Sequence, residues 1–221
     1  MATLPPEFYA RSVLDVAPDL VGCVVTHAGV SGVIVETEAY HETEPACHAF
    51  AGLTPRTQTL FGPPGQAYVY RSYGVHALLN AVCERDGVGA AVLIRALQPL
   101  TGLAEMRSRR LRGGRPRADA NGGVQARDLC SGPGKLTQAM GIWLSDNGTS
   151  LSRGPVRISG RAREWRDPEI VRGPRVGITS AVDLHWRFSA AGNEYVSRPR
   201  PPIGPPRRPG ARRASAAGPR L

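Results

Sequence analysis

The chain has 221 residues, 41% of them hydrophobic, and a formal net charge of +10 at pH 7; that length suits one sizeable domain whose core needs no disulfides. Its four cysteines, Cys23, Cys47, Cys83 and Cys130, contain no C-x-x-C spacing, which argues against a zinc site and for reduced, buried thiols. No basic segment leads into an apolar run and no long apolar stretch occurs, which argues against a leader or a membrane span, so a cytoplasmic protein is expected.

Residues 9–20, YARSVLDVAPDL, predict a short helix that buries Val13, Leu14 and Leu20. VGCVVTH, AGVSG and VIVETEAY then predict strand, turn and strand. Within VETEAY, successive strand side chains point to opposite faces. Val33, Val35, Thr37 and Ala39 take the core side, and Glu36, Glu38 and Tyr40 share the other. After a loop at 41–66, AYVYRSYGVHALLNAV predicts two strands around a Tyr73-Gly74 turn, and Asp86-Gly87 marks a second hairpin. GAAVLIRAL reads as a largely buried strand, so that 22–96 is expected to form an antiparallel meander.

Thr101 is the expected N-cap of a helix, TGLAEMRSRR, that ends in arginines. RSRRLRGGRPR, 107–117, reads as a basic loop, and CSGPGKLTQAMGI as a turn at Ser131-Gly132-Pro133 followed by a short helix. Short strands are expected near 155–158, 174–179 and 186–190. From Arg198 to Leu221 the chain carries seven arginines and no acid, with a Pro/Gly content that cannot build a core. The expected organisation is a single α+β domain over 1–197, built on a curved antiparallel β-sheet with flanking short helices and a protruding β-hairpin, and a disordered basic tail over 198–221.

Several chemistry-bearing residues converge. Glu38 and Tyr40 share a strand face, His48 follows on a loop, and Tyr68 and Tyr70 share a face of the next strand. Tyr73 sits at a turn, where an aromatic finds little core to join. Asn80 lies on the following strand, and Arg95 sits inside an apolar run where an arginine needs a carboxylate partner, either Glu38 or Glu36. Each alone has an ordinary packing or ion-pair explanation. Together they suit a flat base gripped by aromatic faces in a protein whose basic surface meets phosphates.

VETEAY, YVYRSYG, LLNAV, VLIRALQP and LCSGPGKL, in that order across residues 5 to 197, resemble the alkyladenine (3-methyladenine) DNA glycosylase family, of the type that also occurs in vertebrates. The resemblance implies a monofunctional glycosylase that flips alkylated or deaminated purines out of duplex DNA and hydrolyses the glycosidic bond, opening base excision repair. It implies that Glu38 activates water with Arg95 beside it. Tyr40, His48 and Tyr70 would stack on the flipped base, and the main chain at Ala46 would meet the base edge. Asn80 would crowd an undamaged guanine, and Tyr73 would fill the gap left in the duplex. Thr54, Arg56, Arg71 and His76 are expected to join Tyr73 on DNA. Arg95 is expected to lower the pKa of Glu38. The only lysine, Lys135, is placed outside this constellation, which argues against an amine nucleophile. Neither a metal nor an organic cofactor is implied; a monomer is expected, nucleoid-associated if bacterial. Two rivals remain at this stage: a non-catalytic nucleic-acid-binding module, and a small nucleoside or glycoside hydrolase using Glu36 and Glu38 as an acid/base pair.

Overall fold

The structure is a computed structural model that describes residues 1–113 and 123–200. In chain order its elements are helices α1 (Pro6–Tyr9) and α2 (Val13–Asp19), strands β1 (Cys23–His27), β2 (Val30–His41), β3 (Ala67–Ser72), β4 (His76–Val82) and β5 (Ala90–Thr101), helices α3 (Leu103–Arg112), α4 (Ala126–Leu129) and α5 (Pro133–Met140), and strands β6 (Arg157–Arg161), β7 (Ile170–Gly173) and β8 (Arg187–Ala190). Among the described residues these strands make one open antiparallel sheet of eight, in the order β3–β4–β5–β2–β1–β6, with β8 beside β2 and β7 beside β8. The fold class is α+β, as the sequence suggests.

The simple meander is not what forms. β5 pairs with β4 on one side and with β2 on the other, so β3 is not beside β2, and β1 and β4 sit on opposite sides of the central pair. The reason is burial: β2 and β5, twelve residues each, are the two longest strands. Pairing them at the centre removes the most apolar surface from water. β2 then pairs with β1 through Val30–Val33 and with β8 through Glu36–Glu38.

The pairing of β2 and β5 shifts register three times, once at Leu100 near the end of β5 and twice around Glu36, where two bulges cancel. Ile34 faces Leu97 while Glu36 faces Ala96, which leaves Val35 as an extra residue on β2. Glu36 faces Ala96 while Thr37 faces Ile94, which leaves Arg95 as an extra residue on β5. Bulges re-aim side chains and gather beside active sites.

Several local expectations are corrected. The helix over 9–20 is two helices, because Ser12 takes an N-cap position and its Oγ accepts from the Leu14 N–H. Thr101 caps nothing: it ends β5 with its Oγ1 against Ser31 Oγ at 2.7 Å. Gly102 makes the turn instead, at φ 76°, where a Cβ would come within 2.5 Å of Val30. The basic stretch at 107–117 is helical as far as Arg112, and 114–117 fall outside the described residues. The stretch 174–179 is a loop, β7 having ended at Gly173. The tail expected from Arg198 lies outside the described residues from position 201 onward. All four cysteines are buried and free. Among the described residues no helix is long and apolar enough to cross a membrane, and no cluster of three or more His, Cys, Asp or Glu is placed to hold a metal.

Candidate active site

Period-two alternation divides the sheet cleanly. On one face Ala39, Ala67, Val69, Ala77, Leu79, Ala81, Val92 and Ile94 join the main hydrophobic core. On the other, Tyr40 (β2), Ala91, Leu93 and Arg95 (β5), Leu78 and Asn80 (β4), and Tyr68, Tyr70 and Ser72 (β3) line a cleft of about 770 Å³. A single transverse row runs Tyr68–Asn80–Leu93–Glu38–Arg187 across five paired strands. Glu38 therefore stands on the cleft side of the sheet, as the alternation in VETEAY requires.

The carboxylate is wholly buried and forms no part of the cleft surface, but three cleft-lining residues hold it. Tyr40 Oη donates to Glu38 Oε2 at 2.8 Å and Arg95 Nη1 to the same oxygen at 3.2 Å. The main-chain N–H of Val176 donates to Oε1 at 2.8 Å. A carboxylate oxygen accepts about two hydrogen bonds, so Oε2 is filled and Oε1 keeps room for one more donor. Burial raises the carboxyl of Glu38 above its usual range, against the opposing pull of Arg95, the Val176 N–H and Tyr40. The expectation that Arg95 would leave this acid below its ordinary value is thus overturned: the arginine acts in the expected sense, but desolvation outweighs it.

Glu36 is differently placed. Arg95 Nε donates to its Oε1 at 3.2 Å, Arg187 Nε at 2.5 Å and Ser197 Oγ at 3.0 Å, while the Ser197 N–H donates to Oε2 at 2.9 Å. A carboxylate so enclosed has no room for a substrate. Two acids working as a pair need both to reach the reacting atoms, so the glycoside-hydrolase reading loses its second member.

The walls are aromatic. His48 begins a short 3-10 turn and meets Tyr70 at 4.6 Å between ring centroids, with Tyr68 and Tyr70 stacked at 5.2 Å. Burial, and then the charge of Arg56, lower the pKa of His48, favouring its neutral form. Asn80 is buried and gives its Nδ2 to the Tyr68 carbonyl at 3.0 Å. Ala46 lines the cleft, but its N–H is already spent on Glu44 Oε2 at 2.8 Å, leaving only its carbonyl for a base edge. Cys47 is buried and its thiol is pushed up to about 11, which leaves it unreactive.

The rim is basic, and exposed except at the half-buried Arg110. Arg56 and His76 line the mouth, with Arg110 and Lys135. Lys135, expected outside the constellation, is thus at its edge, with Nζ directed to Ser131 Oγ at 3.4 Å. Thr54 pairs with Thr57 on an exposed loop. Arg71 lies over the Trp143 ring, 5.8 Å from its centroid. Tyr73 is 92% exposed at the tip of the β3–β4 hairpin. It sits at φ 48°, followed by Gly74 at φ 71°, and the Val75 N–H closes the turn on the Ser72 carbonyl at 3.1 Å.

Sequence reasoning missed four contributors. Arg175 forms a bidentate pair with Glu44 at 2.6 and 2.8 Å, donates to the Ala39 carbonyl at 3.0 Å, and lies 4.6 Å from the Tyr40 ring centroid. Val176 acts through its main chain, which no side-chain pattern reveals. Arg187 carried a readable signal, since HWRFSA sets an arginine among aromatics much as VLIRAL sets Arg95. Ser197 had none.

A flat aromatic slot, a cationic rim and one carboxylate beneath are the outfit of an enzyme that works on a nucleic-acid base. Residues 7–194 match the family model described as methylpurine-DNA glycosylase. A protein of Rhodopseudomonas palustris (strain CGA009) is 52% identical over 194 residues, 88% of this chain and 87% of its own. One from Bradyrhizobium diazoefficiens is 50% identical over 198 residues, 90% of this chain and 92% of its own. One from Methanoculleus marisnigri is 46% identical over 201 residues, 89% of this chain and 99% of its own. All three are named "Putative 3-methyladenine DNA glycosylase". The chain belongs to the methylpurine-DNA glycosylase family, and with that membership come DNA as the substrate and a place in DNA repair. These relatives are bacterial and archaeal and do not bear on the vertebrate-like subtype.

Proposed function

We propose that this protein is a monofunctional, monomeric glycosylase that everts alkylated or deaminated purines from duplex DNA and hydrolyses the bond to deoxyribose. Its substrates are of the 3-methyladenine, 7-methylguanine, hypoxanthine and ethenoadenine class. The observation that carries the reading is Glu38, held by Arg95, Tyr40 and the Val176 N–H in the transverse row that begins at Tyr68 in the aromatic slot.

Removing a nucleotide from the stack costs roughly a few kcal/mol, and less for a damaged base that pairs poorly. Tyr73 fills the vacated space, as apolar wedges in the minor groove do. Stacking on Tyr40, His48 and Tyr70 returns about 1–3 kcal/mol per face. A 3- or 7-alkylated purine is cationic, which electron-rich rings attract, and a neutral His48 adds no opposing charge. Asn80 crowds the exocyclic amine of an undamaged guanine, and Thr54, Arg56, Arg71 and His76 meet the duplex around the wedge.

Glycosidic cleavage develops positive charge on the sugar. Glu38 stabilises that charge and takes a proton from water as the water oxygen bonds to C1′. The bond from C1′ to the base nitrogen breaks, and its electrons leave with the base. A cationic base departs neutral and needs no proton. The enzyme acts in the cytoplasm on the nucleoid.

A panel of duplexes carrying each lesion, assayed for free base, tests the reading. Release of one or more of these purines without strand scission supports it; no release from any duplex overturns it. Because Glu38 must be ionised and its pKa is raised by burial, release is full above that pKa and falls as pH drops through it. The acid limb is expected above the ordinary glutamate range.

A further inference from the structure

Behind the cleft floor lies a charge cluster that touches no substrate. Arg95 forks between two carboxylates, donating from Nε to Glu36 and from Nη1 to Glu38, both at 3.2 Å. Its third nitrogen, Nη2, donates to Ser197 Oγ at 3.4 Å. Arg187 closes the far side of Glu36 and donates from Nη2 to the carbonyls of Ser197 at 3.1 Å and Pro199 at 2.9 Å. Glu36, Arg187 and Ser197 are each at most 3% exposed, and none lines the cleft.

We infer that Glu36, Arg187 and Ser197 are positioning residues that act through Arg95 on Glu38. The inference rests on the base-release reading above and deepens it. Two carboxylates two residues apart on one strand face repel each other, and one shared arginine would leave the group with a net negative charge in a buried site. Arg187 makes the count two acids and two cations, the condition under which buried charges persist. It also saturates Glu36, so the Nη1 edge of Arg95 stays directed at the working carboxylate. Ser197 sets the orientation of that fork: its hydroxyl donates to Glu36 and accepts from Arg95. The chain that follows β8 is therefore part of the chemical apparatus, strapped across its rear.

The charged and titratable groups facing Glu38 are Tyr40 and Glu36 from β2, Arg95 from β5, Tyr70 from β3, Arg187 from β8, and Arg175 from the loop that supplies the Val176 N–H. Among them, Glu36 and Arg187 influence Glu38 with opposite signs. Neutralising Glu36 removes a like charge and releases Arg95 to Glu38, which favours the carboxylate. Neutralising Arg187 leaves an uncompensated anion beside Glu38, which favours the acid. A residue that only filled space would not give opposite signs.

The test is the pH profile of single-turnover base release, measured on the lesion the parent enzyme releases fastest; a cationic base gives the cleanest limb because it leaves without a proton. In Glu36→Gln the acid limb is expected to move about one pH unit lower, a tenfold gain in rate at a fixed pH on that limb. In Arg187→Met it is expected to move higher by a similar amount, and in Arg187→Lys, which keeps the charge, to stay with the parent. Affinity for abasic-site DNA should be the same in all three. Limbs that coincide with the parent's in Glu36→Gln and Arg187→Met, or that move in one direction together, overturn the inference. If Arg187→Met does not fold, Glu36→Gln and Arg187→Lys decide: a lowered limb in the first with an unmoved limb in the second sustains it, and any other result overturns it. A parent enzyme that released no base would instead sink the glycosylase reading itself.

Discussion

The floor of the cleft and the tip of the β3–β4 hairpin belong to one sheet and are built to opposite specifications. Beneath the floor the structure is buried and electrically closed: Glu36, Glu38, Arg95 and Arg187 satisfy one another with almost no contact with water. The tip is bare, with Tyr73 nearly fully exposed in a left-handed conformation that bulky residues avoid. What can be learned from the pair is a division of labour. On the proposed reading, the acids and the arginine that must hold a set protonation and position, Glu36, Glu38 and Arg95, sit on the two longest strands, whereas the proposed wedge sits where nothing else holds it.

The sharpest way to break this comparison is at the floor. Glu38→Gln should cut base release by about 10²–10⁴-fold, the usual worth of a positioned general base, and leave binding to lesion duplexes intact. Single-turnover release beside equilibrium binding reads both; a variant that turned over at the parent rate would remove Glu38 from its role. Next comes the wall. Arg175→Ala strands Glu44 without its bidentate partner, and breaking a buried pair costs about 3–5 kcal/mol. Urea unfolding should register that loss, and a difference below about 1 kcal/mol would mean the pair holds nothing.

At the tip the effects should be smaller and decoupled from stability. Tyr73→Ala should weaken binding to abasic-site DNA by about tenfold, within the range for one stacked ring; unchanged affinity there would deny the wedge. Tyr73→Gly should weaken it as much yet stabilise the fold by about 0.5–1 kcal/mol, because glycine accepts positive φ freely. Smallest of all, deleting 201–221 removes five arginines while sparing Pro199, the partner of Arg187. The slope of log affinity against log salt should flatten; an identical slope would leave the tail uninvolved in DNA binding.

The local geometry of this site was legible because alternation holds over the stretches that line the cleft. VETEAY, YVYRSY and LLNAV each put alternate residues on the cleft face, and Glu38, Tyr40, Tyr68, Tyr70 and Asn80 fell on the sides that the pattern dictates. The partners of Arg95 were legible too, since a buried guanidinium demands carboxylate. The order of the strands was not, because the pairing of β2 with β5 is decided by how much surface the whole sheet can bury. Val176 contributes only an N–H, which every residue but proline owns. The direction in which Glu38 is perturbed depends on depth of burial against the strength of three hydrogen bonds, and a string of letters carries neither.

The paired bulges have a consequence for how this strand pair can change. A chain that lost Val35 alone would be out of phase with β5 from that point on, and one half of VIVETEAY would turn its acids toward the oily side. A chain that lost Val35 and Arg95 together would regain phase around Glu36, keeping only the shift at Leu100. On the proposed mechanism it would also be inert, having discarded its cation in the repair. Single-letter shortening of either strand is thus barred by geometry and paired shortening by chemistry, so indels here should be filtered out twice.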